Sequence, residues 1–569
     1  MFEISKRDGL ARLGKIKTVH GILETPTLLP VVNPKILTLS MEELQQCGAE
    51  GIITNSYIIY KNPELKKKAE QEGVHSMLGW ERPIMTDSGT FQSHVYGEIE
   101  MEPDVILDFQ KKIGVDIGTV LDVFTEPGTR FEDAKKELDE TQKRIENADK
   151  NKENMMLAAP VQGGRHLDLR AKASSGASKT TAELFPIGGV VPFMEQNKFK
   201  QLAEIVLACK KELDISRPVH LFGCGHPMLF GLAVFMGCDV FDSSSYAKFA
   251  SRDSLMFTWG TRKLEELETF PNEFSASPDI SITQLKSMEK EKRQKIIAKH
   301  NLIVSFAEIR RVKQAIHEGT LWELVENRLR TSPALMKVFD VLKDDWLSKF
   351  EPAYRYKTPL KTGKESDKRP IFTNFKEFDK GEMTHPYFGK VPLHLSETYP
   401  FHPGLLQDDM EGWKMQEWDV ARVCTILDYQ FGKGVGKVFT NGDVELITSR
   451  KTKRLRNLVL DGKHLASLSH RRGLFILQEQ GARLIHKNSK STQFRVVIDP
   501  ETASFNRDGK SVFCKFIKDI DSNLRCMDEC IVVTPKDGLV AFGKLIISPE
   551  EIGLGQQGMA IRVRGGIPQ

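Results

Sequence analysis

In the first half of the chain, seven short apolar runs each end in a small polar cluster. They cover 51–57, the residues leading into Thr86-Asp87-Ser88-Gly89, 117–124 with Asp122, and 156–161 before Gln162-Gly163-Gly164. Three more are 184–187 before Gly188-Gly189-Val190, 219–222 before Gly223-Cys224-Gly225, and the run ending in Phe241-Asp242-Ser243. Helical stretches separate several of them, and strands alternating with helices predict a parallel sheet. Closed into a (β/α)8 barrel, such a sheet carries its functional groups at the carboxyl ends of the strands, where these clusters fall.

Beyond Asp253 the alternation fades, and the pattern predicts helices over 285–318 and 321–330, punctuated by Gly319 and Pro333. The stretch 354–382 is rich in Lys, Asp, Thr and Pro and reads as a boundary, with a second near 407–412. From 418 to 487 the pattern is mixed, with short alternating segments at 435–439 and 444–448. Runs at 495–498, 511–517, 529–534, 539–547 and 560–563 predict a small β-rich module. The expected fold class is thus α/β, with a barrel over 1–335 that ends in helices at 284–335. Accessory α+β domains over 336–417 and 418–493 and a β-rich domain over 494–569 would follow. Ser174-Ser175-Gly176-Ala177-Ser178 reads as a flexible loop on the barrel rim. At 569 residues the chain is too long for one core.

The net charge of +4 is too small to announce a nucleic-acid partner by itself. Local charge says more: between Ser449 and Arg456, five of eight residues are basic, a cluster suited to phosphate contacts. The eight cysteines show no CxxC pair, so neither a disulfide framework nor a zinc ribbon is indicated, and buried thiols in a reducing compartment are expected. No window approaches the roughly 18 apolar residues of a membrane span, and the amino terminus has no apolar core of a signal sequence. A soluble, cytoplasmic protein is expected.

Breaking a bond from ribose C1′ to a base nitrogen passes through an oxocarbenium-like state, and two carboxylates can divide the work. One traps the carbon while the other protonates the leaving group, and Asp87 and Asp242 are the pair the strand ends offer. Either aspartate alone is equally well explained as a turn residue; two at strand ends are less easily so. Phe91 offers a flat apolar surface for a base. Asp122 can accept from the N1 proton and 2-amino group of guanine, and Gln162 can pair with a carbonyl such as O6. Gly188-Gly189 permits close approach of a planar ligand.

Thr86-Asp87-Ser88-Gly89-Thr90-Phe91-Gln92, Leu121-Asp122, Val161-Gln162-Gly163-Gly164, Ile187-Gly188-Gly189-Val190-Val191-Pro192 and Phe241-Asp242-Ser243, in this order, resemble the motifs of the tRNA-guanine transglycosylases. His385-Pro386-Tyr387-Phe388-Gly389-Lys390-Val391-Pro392 and Glu397-Thr398-Tyr399-Pro400 narrow the resemblance to the archaeal type. So does the terminal module, whose Val512-Phe513-Cys514-Lys515-Phe516 and Asp528-Glu529 are similar to a PUA RNA-binding domain. The resemblance implies a TIM-barrel catalytic domain that exchanges guanine at position 15 of the tRNA D-arm for 7-cyano-7-deazaguanine (preQ0). That is a step of archaeosine biosynthesis, run as a double displacement through a covalent Asp-ribosyl intermediate. It further implies Asp242 as nucleophile and Asp87 as general acid/base, with Ser88, Phe91, Gln92, Asp122, Gln162, Gly188, Gly189 and Val190 lining the base pocket. Arg450, Lys451, Lys453, Arg454, Arg456 and Lys515 are the expected tRNA contacts, tRNA and free preQ0 or guanine the expected partners, and a homodimer the expected assembly.

In one respect the chain departs from the family pattern. Members usually carry Pro-Cys-x-Cys-x-x-Cys and a later His, a set suited to structural zinc. Aligned from Pro271, the three cysteines become Asn272, Phe274 and Ser277, and only His300 remains. No metal and no cofactor is therefore expected, with packing of Phe274 in place of the cross-link. The competing class is a silent tRNA-binding paralogue, or one that modifies the inserted base; intact Asp87, Asp122 and Asp242 speak against both.

Overall fold

Short strands buried on both faces are what a parallel sheet wrapped in helices requires. A computed structural model describes residues 2–90, 102–270, 280–351, 365, 369, 382–385, 389–392, 418–450, 453–469, 472–554 and 558–568. The chain divides into two units, Met1–His317 with Leu324–Lys343, and Glu318–Glu323 with Asp344–Gln569.

In the first unit, β1 (Phe2–Asp8), β2 (Ala11–Thr18) and β3 (Gly21–Thr25) form an antiparallel sheet. Eight strands follow: β4 (Thr27–Pro30), β5 (Ile52–Asn55), β6 (Ile84–Asp87), β7 (Ile117–Thr119), β8 (Met156–Ala158), β9 (Phe185–Ile187), β10 (Val219–Leu221) and β11 (Val240–Ser243). All neighbours are parallel, β11 pairs back onto β4, and single bridges at Val31–Ile53 and Ala158–Leu184 join the two halves into a closed (β/α)8 barrel. The apolar runs identify seven of these strands. The eighth, β4, holds only two leucines between Pro26 and Pro30, too little pattern to stand out.

Phe2, Ile16 and Leu23 of the first sheet pack in one cluster with Leu29, Ile53, Met85, Ile117 and Val240 of the barrel strands. The amino-terminal sheet is therefore a plug in the barrel. A buried Arg12 fastens it: Nε and Nη2 donate to the two Asp239 oxygens at 2.7 and 2.6 Å, Nη2 also to Arg217 O at 2.7 Å, and Nη1 to Ile215 O. A guanidinium is tolerated there because its charge is paired and its donors are satisfied.

The helices follow their own rules. Ser40 and Glu43 make a reciprocal capping box on Met41–Cys47. Phe131–Asn151 buries Ala134, Leu138, Thr141, Ile145 and Ala148, alternating steps of four and three that keep one face on the barrel. The stretch 174–178, expected as a rim loop, is instead the end of helix Leu167–Ser178, with Ala173, Ser174 and Ala177 buried; small residues serve here to let helices approach closely.

In the second unit, helix Val420–Phe431 precedes an antiparallel meander of Val444–Thr448, Leu455–Leu460, Lys463–Leu468 and Phe475–Leu477, followed by helix Glu479–Asn488. The segment at 435–439, alternating in sequence, is a short helix, because Asp428 Oδ1 accepts from Gly434 N and Gly436 N and bends the chain into a turn. A six-stranded sheet ends the chain, in the order Val512–Phe513, Met559–Gly566, Leu539–Leu545, Glu529–Val533, Arg495–Ile498, Ile517–Ile520. Leu427, Leu458 and Phe475 share one apolar cluster with Ile531, Val533 and Phe542, so the meander and the terminal sheet have a common core. Of the motif at 385–392, the hairpin strands Glu382–His385 and Gly389–Pro392 are described; the one at 397–400 lies outside the described residues. Among the described residues no helix is long and apolar enough to cross a membrane.

Candidate active site

Asp87 ends β6 and sits beside Asn55, which ends β5. Asn55 Nδ2 donates to Asp87 Oδ2 at 3.0 Å, while its Oδ1 accepts from Ile58 N and caps the helix that follows. The Gly89 amide donates to Asp87 Oδ1 at 3.3 Å, and Ser56 Oγ donates to the Asp87 carbonyl at 2.8 Å. Gly89 has φ +98°, and a Cβ there would lie 2.5 Å from that of Tyr57, so the turn needs glycine. Burial, against the Gly89 bond and reinforced by the negative charges of Asp122 and Asp242, pushes the Asp87 carboxyl up to about 6.

Asp242 is held differently. His220 Nε2, from the middle of β10, and the Gly223 amide both meet its Oδ1, at 2.9 and 2.8 Å. With the proton on Nε2, the histidine donates. Among the described residues Oδ2 has no hydrogen bond, and the side chain is 13% exposed. One oxygen is thus fixed and the other is available.

Asp122 follows β7 and is buried. Gln162 Nε2 donates to its Oδ2 at 2.5 Å, and burial raises its pKa. Sequence reasoning gives the Gln162 amide a base carbonyl to donate to; one of its two Nε2 hydrogens goes to Asp122, and among the described residues the buried Oε1 has no partner. Ser88 is buried, with Oγ on the Val120 carbonyl at 3.2 Å. At Gly188 a Cβ would lie 2.5 Å from Gln162 Nε2, and at Gly189 (φ +67°) 2.9 Å from Gln162 Oε1. Val190 is buried behind them. Phe91 and Gln92 lie outside the described residues.

Three residues complete this site that the sequence pattern did not single out: Asn55, His220 and Arg170. Arg170 is fully buried on helix Leu167–Ser178 and donates to Gly164 O at 3.0 Å, Val161 O at 2.7 Å and Gly188 O at 2.8 Å. It ties the loop after β8 to the loop after β9. His220 carries a visible signal, a polar residue inside an otherwise apolar buried strand, and Asn55 likewise ends its run. Arg170 carries none, because an arginine on a helix ordinarily reads as surface.

Of the basic residues, Arg450, Lys453 and Arg456 are exposed, and Arg454 is half-buried; Lys451 lies outside the described residues. Lys515 is exposed on a turn with its Nζ 4.6 Å from the centroid of the Phe516 ring, and Phe513, two residues before it, is 48% exposed. An exposed cation and an exposed ring on one short turn suit nucleic acid.

His300 is buried in helix Lys290–Glu318, edge-on to Phe257 and Phe270, with Nε2 3.3 Å from Met256 O. Burial pushes its pKa down to about 4. No cysteine occurs between Cys238 and Cys424, so the family's cysteine motif has no counterpart in the sequence leading to this imidazole. Asn272, Phe274 and Ser277, and with them the expected packing of Phe274, lie outside the described residues.

A profile of queuine tRNA-ribosyltransferases matches residues 7–334. The patch-forming domain C2 of tRNA-guanine transglycosylase matches 421–491, and the PUA domain 494–567. The tRNA-guanine(15) transglycosylase of Thermococcus kodakarensis is 42% identical over 577 residues, covering 100% of this chain and 99% of its own. The protein of that name from Methanothermobacter thermautotrophicus is 38% identical over 647 residues, covering 100% and 99%. That of Methanocaldococcus jannaschii is 36% identical over 651, again covering 100% and 99%.

Proposed function

Because the chain belongs to the queuine tRNA-ribosyltransferase family, we propose that it exchanges guanine at position 15 of tRNA for preQ0, a step of archaeosine biosynthesis. The observation that carries this reading is the contrast between the two carboxyls: Asp242 with one oxygen pinned and one free, Asp87 with its pKa raised to about 6. Asp242 Oδ2 attacks C1′ as the bond to the guanine nitrogen breaks, and the departing base takes that electron pair together with a proton from the Asp87 carboxyl. PreQ0 then enters, gives its ring N–H proton to the Asp87 carboxylate, and attacks C1′, releasing Asp242. Two inversions give net retention. A group with a pKa near 6 exchanges protons in both directions close to neutrality.

Asp122 and Gln162 Oε1, which has no partner among the described residues, are acceptors that suit the N–H edge of a guanine-like base, with Ser88, Phe91, Gln92, Gly188, Gly189 and Val190 as the expected lining. The target base must leave its stack to reach a barrel mouth. Arg450, Lys451, Lys453, Arg454, Arg456 and Lys515 hold the tRNA by its phosphates. The reading includes a barrel over 1–335 with accessory domains 336–417 and 418–493 and a PUA domain over 494–569, acting in the cytoplasm as a homodimer that has lost the family's cysteine zinc site.

The test is incubation of the purified protein with transcribed tRNA and labelled guanine, followed by a chase with preQ0. Label should enter the tRNA and be released by the chase, and Asp242→Asn should abolish incorporation while tRNA affinity stays within a few-fold. A wild-type protein that binds tRNA and exchanges nothing would sink the reading in favour of a silent paralogue.

A further inference from the structure

At the amino end of the barrel strands, opposite the carboxylates just described, His20, His75 and Asp116 come together from three parts of the chain. His20 sits in the turn between β2 and β3, His75 in helix Pro63–Leu78, and Asp116 just before β7. Asp87 and Ile84 bound the same strand, so the two sites are separated by at least the rise of three residues, about 10 Å.

His20 Nδ1 lies 3.0 Å from Asp116 Oδ1 and His75 Nε2 3.0 Å from Oδ2. The two rings are stacked, with centroids 3.6 Å apart and planes 24° from parallel. The His20 amide also donates to Oδ1, at 3.0 Å, and the Ile84 amide to Oδ2, at 2.9 Å. The Asp116 side chain is fully buried, and among the described residues its side-chain partners are the two imidazoles, with no lysine or arginine. The carboxylate and the two ring nitrogens, each 3.0 Å from one of its oxygens, thus form a compact set of donor atoms that a cation can bridge.

We propose that His20, His75 and Asp116 form a binding site for one divalent transition-metal ion of the Zn2+, Co2+, Ni2+ class. The three donor atoms lie within 4.8 Å of one another. Donors 3.0 Å apart subtend about 95° at a metal with bonds of about 2.05 Å. Two imidazoles and one carboxylate are the ligand types these ions prefer, whereas Mg2+ and Ca2+ favour oxygen sets. The backbone amides on the carboxylate are the outer hydrogen bonds that orient a metal ligand. His20, 36% exposed, gives the ion a way in from solvent.

The test uses the full-length protein stripped with a chelator and titrated calorimetrically with ZnCl2 and NiCl2, with CoCl2 for absorption spectra. One ion per chain should bind, with a cobalt spectrum free of sulfur charge transfer. His20→Ala and His75→Ala should each weaken binding at least about tenfold, while His464→Ala, an exposed control, should not. Added Zn2+ should also raise the Tm of the wild type and leave that of His20→Ala unmoved. No binding tighter than about 100 μM, affinity unchanged in both ligand variants, or a thiolate band in the cobalt spectrum would each overturn the proposal. The exposed turn at His20 keeps that variant folded, which far-ultraviolet circular dichroism verifies.

Discussion

A carboxyl that must give up a proton and then take one back is most useful with a pKa near the working pH, and such tuning is bought with stability. Asp87 binds its proton more tightly in the folded chain, at about 6, than at the ordinary 3.8. The native state therefore holds more protons than the unfolded one between about pH 4 and 6, and stability falls as pH rises through that window. Two pKa units correspond to about 3 kcal/mol. Asp87→Asn, which cannot ionise, should gain up to about that much at pH 8 and little at pH 4, as denaturant unfolding at the two pH values will show, while base exchange is lost. Both aspartates were visible in the sequence because each closes an apolar run with a small turn. Their difference was not, since it comes from partners distant in sequence: Asn55 is 32 residues from Asp87, and His220 is 22 from Asp242. Nor could a residue type show that Gln162 gives one of its two amide hydrogens to Asp122.

Between single groups and whole domains, loops must be tied to one another. Arg170 does this for the loops after β8 and β9. Replacing it with Met leaves the Gly164 and Gly188 carbonyls without this donor, whereas Val161 O keeps the Gly188 amide. At about 1–3 kcal/mol per orphaned buried group, Arg170→Met should lose about 3 kcal/mol in chemical denaturation. The KM for the free base should rise more than kcat falls, because the arginine shapes the pocket rather than touching the reacting atoms. At this scale the sequence was most legible where period and length agreed: the strands with clear apolar runs, and the long helix Lys290–Glu318. It was least legible where a side chain overrode the pattern. Asp428 turns 435–439 into a helix, and a stripe of Ala, Ser and Gly that looks like a loop is the packed end of Leu167–Ser178.

At the scale of the whole molecule, the proposed reading places chemistry and attachment in different units. The acidic trio of Asp87, Asp122 and Asp242 belongs to the first unit, and the exposed cations Arg450, Lys453, Arg456 and Lys515 to the second. Attachment through phosphates is sensitive to salt, with a slope in log K against log salt that falls by about 0.7–0.9 per lost contact. A variant with Arg450, Lys453 and Arg456 all changed to Ala should bind tRNA more weakly and lose about 2–3 from that slope, measured by filter binding over a range of salt. The barrel and terminal β module were readable from alternation alone. The plug was not, because β1 to β3 lack a run of their own and gain their meaning only from the barrel they close.

Arg12 and Asp239 are 227 residues apart, a separation that also has a duration. At about 5–20 residues per second of synthesis, the arginine leaves the ribosome roughly 10 to 45 seconds before the aspartate it needs. During that interval the nascent plug carries an unmatched charge meant for burial. Its final seat exists only once β11 has emerged, so the first sheet made is among the last to be secured.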